Sequence, residues 1–180
     1  RRLTADQCAS LLAEANRRRL IASQPVADSE GSCPLHNVVR VANFGSVTLS
    51  SSFLASCPLA LSSALYVEQQ AKPLTRQLMA SDLRQIDHLG SFACRNIYHR
   101  QQARRSEHAT ADALDVSGFR LADGRRVSVL QGWRSETSHP WLAALLNNSC
   151  HYFGNALGPE YNAAHANHFH LGMRGQGFCF

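Results

Sequence analysis

The sequence predicts an α+β fold: a small antiparallel sheet with helices packed on one side, stapled by disulfides. Three observations lead there. Segments with apolar residues at helical spacing are interspersed with short β-branched segments, an Asp-Gly pair marks a hairpin, and six cysteines, an even number, are spread along the chain. At 180 residues, with 44% hydrophobic and 17% charged residues and no shift in composition, residues 1–180 read as one globular domain.

Thr4-Ala-Asp-Gln7 has capping-box form, and Cys8, Leu11, Leu12 and Ala15 follow at helical spacing, so a first helix is predicted to about Arg19. Residues 22–35, with Pro25, Gly31 and Pro34, read as loop. Val38, Val39, Val41, Val47 and Thr48 flank Asn43-Phe-Gly45 and predict two short strands joined by a turn. Pro58 opens a second helix carried by Leu61, Ala64 and Leu65 to about Gln70, resuming after Pro73 as 74–81. A strand is predicted over 86–96, followed by a basic loop. Segments 113–119 and 127–133 form a hairpin around Asp123-Gly124, and 138–153 makes a third helix with the stripe Trp141, Leu145, Leu146 and Cys150. Residues 155–167 read as loop before a final, histidine-rich strand.

Cys8, Cys33, Cys57, Cys94, Cys150 and Cys179 include no Cys-x-x-Cys pair, which favours three disulfides made in an oxidising space, periplasmic or extracellular. Their pairing is not fixed by the sequence. Cys150 with Cys179 is singled out, since it would pin the tail behind the histidine strand. No apolar run approaches the roughly 20 residues that span a bilayer, so no membrane insertion is expected. Arg1-Arg2 leads into a polar, helix-like segment rather than a signal pattern, as it also would in a mature or trimmed chain. The net charge of +5 suits an anionic partner such as nucleic acid, a membrane surface or a wall polymer. Nucleic acid is disfavoured, because the basic clusters Arg17-Arg18-Arg19, Arg104-Arg105 and Arg125-Arg126 are short and lack an interleaved aromatic pattern.

Chemistry concentrates in Asn162-Ala-Ala-His-Ala-Asn-His-Phe-His-Leu171, which holds His165, His168 and His170. In an extended strand residues i and i+2 share a face, so His168 and His170 project together while Phe169 turns to the core. A second cluster, Ser106-Glu-His-Ala-Thr-Ala-Asp-Ala-Leu-Asp115, places His108 seven residues ahead of Asp115. Two imidazoles and a carboxylate with a fourth position open are the donor set of a catalytic zinc.

His108 with Asp115, then the later His-x-His, resembles the zinc peptidases of the lysostaphin, D-Ala-D-Ala peptidase and hedgehog group. Ser-Glu-His-Ala, Ala-Leu-Asp-Val-Ser-Gly-Phe, Leu-Ala-Asp-Gly-Arg, Cys150, Leu157-Gly-Pro and His165-Ala-Asn-His-Phe-His-Leu resemble more narrowly the bacterial extensin-like C-terminal family. The likeness covers most of 88–179 and, more loosely, the segment from Cys8 to Cys94. It implies His108, Asp115 and His170 as ligands of Zn²⁺, His168 as base or transition-state stabiliser, and His165 supporting it from the rim. It also implies that Arg95 and Ser106 bind substrate, Arg95 by gripping a carboxylate. A bound zinc would lower the pKa of its water to about 7.

The implied function is hydrolysis of peptidoglycan stem or cross-link peptides by a D,D- or L,D-endopeptidase or a carboxypeptidase. A protein inhibitor would be a further partner if the chain attacks a rival's wall. Two departures stand out: Ala111 occupies a position where glycine is usual, and Gly172 one where an acidic residue often follows the last histidine and leucine. They leave room for two other readings, a non-catalytic wall-binding domain that keeps the fold, and a structural extracellular domain with coincidental histidines.

Overall fold

In the computed structural model, which describes residues 2–94 and 106–180, the Thr4 hydroxyl accepts the Gln7 N–H at 3.1 Å and the Gln7 side chain accepts the Thr4 N–H at 2.9 Å. This capping box opens α1 (Ala5–Arg17), whose buried stripe is Cys8, Leu12 and Ala15. The expected loop of 22–35 contains a strand, β1 (Ala22–Pro25), paired with β2 (Val38–Asn43). It lacks β-branched residues and carries Pro25, a residue a sheet edge accommodates because no ladder N–H is needed there. With β4 (Phe53–Ser56), also absent from the sequence reading, β1 and β2 form a three-stranded sheet in the order β1-β2-β4.

The two strands expected across 38–49 exist as β2 and β3 (Thr48–Leu49), but they do not pair as a hairpin. Their turn hands the chain to a second sheet, where β3 runs parallel to β5 (Leu83–His88). Residues 57–79 form α2 (Cys57–Tyr66), a π turn (Val67–Ala71) and α3 (Lys72–Met79) without interruption. Pro73 would clash with the carbonyl four residues earlier in a regular α-helix. The wider turn, in which the Lys72 N–H reaches the Val67 carbonyl, carries the helix past it.

β5 ends at His88, and Gly90 at φ 113° turns the chain out of the sheet, so Cys94 lies beyond the strand that was expected to hold it. Arg95 lies outside the described residues. β6 (Ala113–Leu121) and β7 (Arg126–Ser128) form the expected hairpin, but its second limb is three residues long. The Ser128 hydroxyl then caps α4 (Val129–Gly132), which takes up most of the stretch read as strand. After α5 (His139–Ser149), the expected loop of 155–167 contains β8 (Asn155–Leu157) and a 3₁₀ turn (Ala163–His165). β9 (Phe169–Gly172) and β10 (Phe178–Cys179) follow.

The second sheet has seven strands in the order β10-β8-β9-β6-β5-β3, with β7 on β6. Its centre is antiparallel, and the β3–β5 and β8–β10 pairings at its edges are parallel. Leu114, Val116, Phe169 and Leu171 enter the main core with Trp141, Leu142 and Leu145 of α5. Strand alternation therefore turns Asp115 and His170 to the other face. Ile86 pairs with Phe119 and Asp87 with Gly118, yet His88 pairs with Val116. The extra residue, Ser117, is a bulge that switches the buried parity of β6 from Leu114 and Val116 to Phe119 and Leu121.

All six cysteines are paired, as Cys8–Cys57, Cys33–Cys94 and Cys150–Cys179, with Cα separations of 6.2, 5.7 and 5.9 Å. The three disulfides fit an oxidising compartment. Cys150–Cys179 pins the tail to the end of α5, as the sequence suggested. Among the described residues, no helix is long and apolar enough to cross a membrane.

Candidate metal centre

The site is assembled from two neighbouring strands and one turn. Asp115 on β6 and His170 on β9 are register partners, so their side chains leave the same face side by side. The His170 Nδ1 lies 3.1 Å from the Asp115 Oδ1. His108 comes from a 3₁₀ turn (Glu107–Thr110) that precedes β6, and its Nε2 lies 3.1 Å from the Asp115 Oδ2. The Ser106 hydroxyl caps this turn by accepting the His108 backbone N–H at 3.2 Å. Ser106 is thus buried beneath the turn that presents His108.

The tautomers follow from the outer partners. His108 Nδ1 donates to the Ser91 carbonyl at 2.8 Å, which turns its Nε2 towards Asp115. His170 Nε2 donates to the Glu107 carboxylate at 2.9 Å, which turns its Nδ1 towards Asp115. The ligand atoms of His108, Asp115 and His170 lie within 4.8 Å of one another, and the group could hold a metal ion. Two imidazole nitrogens and a carboxylate oxygen, each imidazole braced through its far nitrogen, suit zinc.

Burial opposes ionisation of Asp115, but hydrogen bonds from His108 and His170 outweigh it and hold the carboxyl well below its ordinary range. Burial likewise disfavours the His170 imidazolium, yet Asp115 and Glu107 raise its pKa to about 9. A cation bound through His170 Nδ1 would therefore have to displace a proton. His168 stands beside the cluster, with Nε2 3.7 Å from the Asp115 Oδ1 and Nδ1 2.9 Å from the Asn167 Oδ1. Burial lowers its pKa, against the pull of Asp115. His165 is buried behind it, with ring centroids 5.0 Å apart and its Nδ1 2.6 Å from the Asn162 Oδ1. Burial, then His168 and His170, lower its pKa to about 4.

The structure thus brings His108, Asp115 and His170 into one group with His168 and His165 alongside, and sets Ser106 under the turn. Sequence reasoning missed Glu107. It belonged to the Ser-Glu-His stretch already singled out, but nothing local showed that adjacent residues of a tight turn would serve two different histidines. Ser91 was missed because it contributes only a backbone carbonyl, which no sequence pattern marks.

The fold and site define a disulfide-stapled α+β protein with a buried His-Asp-His group able to hold a metal ion. Residues 6–180 match the family described as Extensin-like protein C-terminus, and the chain belongs to that family. No curated protein and no solved structure matches it significantly.

Proposed function

We propose that the chain is a zinc-dependent hydrolase of peptidoglycan peptides. It would act on stem or cross-link peptides as a D,D- or L,D-endopeptidase or a carboxypeptidase, in the periplasm or outside the cell. The observation that carries this reading is the convergence of His108, Asp115 and His170 on one sheet face, with His168 at its margin. The spacing of these residues supports kinship with the lysostaphin, D-Ala-D-Ala peptidase and hedgehog group.

His108, Asp115 and His170 would hold the zinc, which when bound polarises a scissile carbonyl and activates water. His168, whose pKa burial lowers, is suited to take the proton of the attacking water. Once protonated it would stand 3.7 Å from the Asp115 carboxylate and stabilise negative charge developing on the substrate. A groove of about 370 Å³, lined by Asp87, Ser117, Arg126, Gln131 and Asn167 among others, includes the residue preceding His168 and offers room for a peptide.

The test is mass analysis of purified peptidoglycan incubated with the protein, with and without a chelator. New peptide ends should appear, vanish with chelator and return with added zinc. Retention on sacculi without any new ends would replace this reading with that of a non-catalytic wall-binding domain.

A further inference from the structure

Gly172 closes β9 between Ala113 of β6 and Asn155 of β8, in the interior of the sheet. A glycine there weakens a strand, and its backbone is not in the left-handed region that would call for one. The reason is spatial. A Cβ at this position would overlap both carboxylate oxygens of Glu107 and come within 2.6 Å of its Cδ. The space beside the strand is filled by a side chain arriving from the 3₁₀ turn, 65 residues earlier in the sequence.

Both oxygens of the Glu107 carboxylate accept hydrogen bonds. Oε1 receives the His170 Nε2 at 2.9 Å and the Asn155 Nδ2 at 2.9 Å, and Oε2 receives the Arg174 backbone N–H at 2.7 Å. The Asn155 amide also donates to the Arg174 carbonyl at 3.0 Å, so its NH₂ is the group that faces Glu107, and its Oδ1 has no partner among the described residues. The NH₂ thus has an acceptor on each side, the Glu107 carboxylate and the Arg174 carbonyl.

We propose that Glu107 is the positioning residue for the His170 imidazole and that Gly172 is its steric counterpart, the two forming one interlocked unit. Glu107 fixes the His170 ring so that Nδ1 faces Asp115, and it does so only while residue 172 has no side chain. This rests on the reading of His108, Asp115 and His170 as a zinc site, but not on hydrolysis. The carboxylate lost from β9 at Gly172, where the family resemblance led one to expect an acidic residue, is supplied in space by the turn.

The experiment is zinc competition against a chromophoric chelator, with thermal unfolding of the chelated full chain as the control for folding. Glu107→Gln keeps the side-chain volume but must aim an NH₂ at one of the three donors. It should lower zinc affinity by about 10–100-fold. Gly172→Ala leaves Glu107 in the sequence yet displaces its carboxylate, and should produce a loss of the same order. In a Glu107→Ala background the added methyl has room, so Gly172→Ala should then cost at most about twofold.

The distinguishing result is non-additivity, together with zinc losses larger than any change in the melting temperature of the chelated protein would explain. Normal zinc affinity in Glu107→Gln, or a full Gly172→Ala penalty in the Glu107→Ala background, would overturn the proposal and leave the zinc site standing. A wild-type protein that binds no zinc would overturn both. Zinc bound normally without peptide hydrolysis would overturn the proposed activity alone.

Discussion

His168 directly precedes β9 and His170 lies within it, and their partners give them different chemistry. His170 is held between Asp115 and Glu107, whereas His168 meets Asn167 and stands off from Asp115 by 3.7 Å. If the proposed zinc site is right, His170→Ala takes away one of its three protein ligands and should abolish or greatly weaken zinc binding, and activity with it. His168→Ala should keep near-stoichiometric zinc and lose on the order of 10²–10⁴-fold in turnover. Metal analysis paired with a muropeptide digestion assay separates the two. Zinc lost from His168→Ala but kept by His170→Ala would reverse their roles. Ala111 shows a different side of the same scale. At φ 56° it occupies a left-handed position, which costs a residue with a Cβ roughly 1–2 kcal/mol. Its methyl, buried with Leu35 and Val38, contributes roughly 0.8 kcal/mol in return. The departure from glycine was legible in the sequence; the packing that offsets part of its cost was not.

At the scale of elements, β9 has two duties. Phe169 and Leu171 anchor it in the core while His170 faces the site, so the strand's register sets where His170 sits. Phe169→Ala should cost about 3–5 kcal/mol through loss of burial and the cavity left behind. Below its lowered melting temperature the variant should still bind one zinc, because the β6–β9 ladder holds His170 opposite Asp115. Calorimetry and a zinc titration check this, and an unchanged melting temperature would mean that β9 is not anchored through Phe169. The alternation that predicted this strand was a local signal. The bulge at Ser117 was not, since it exists only through the way β6 pairs with β5.

Across the whole molecule, the disulfides differ in what they brace. Cys33–Cys94 closes the segment in which Ser91 accepts from His108 Nδ1 and the Ala93 N–H donates to the His108 carbonyl at 3.0 Å. Cys8–Cys57 joins α1 to the start of α2 and supports the helical side. Replacing either pair with serines should cost stability of about 4 kcal/mol, the chain-entropy value for loops of this length. Only loss of Cys33–Cys94 should also weaken zinc binding, by roughly tenfold, through the loosened His108 support. Denaturant unfolding and zinc competition on both double variants provide the comparison. Equal zinc losses from the two would assign the effect to general stability.

The sequence by itself determined the residue types of the candidate site, the shared face of His168 and His170, the α1 cap, the Asp-Gly hairpin and the oxidised cysteines. The cysteines are read from their number and scatter along the chain; the others are written in spacing along a few neighbouring residues, where period, cap and turn chemistry act through the local backbone. The tertiary structure decided which cysteines pair, that β2 and β3 serve different sheets, that Pro73 is bypassed by a π turn, and that Glu107 occupies the space beside Gly172. Those outcomes depend on sheet order and register, which bring Glu107 and His170 together across 63 residues. No local period encodes such a meeting; it is set by which strands share a ladder and by the volume each side chain leaves to its neighbour.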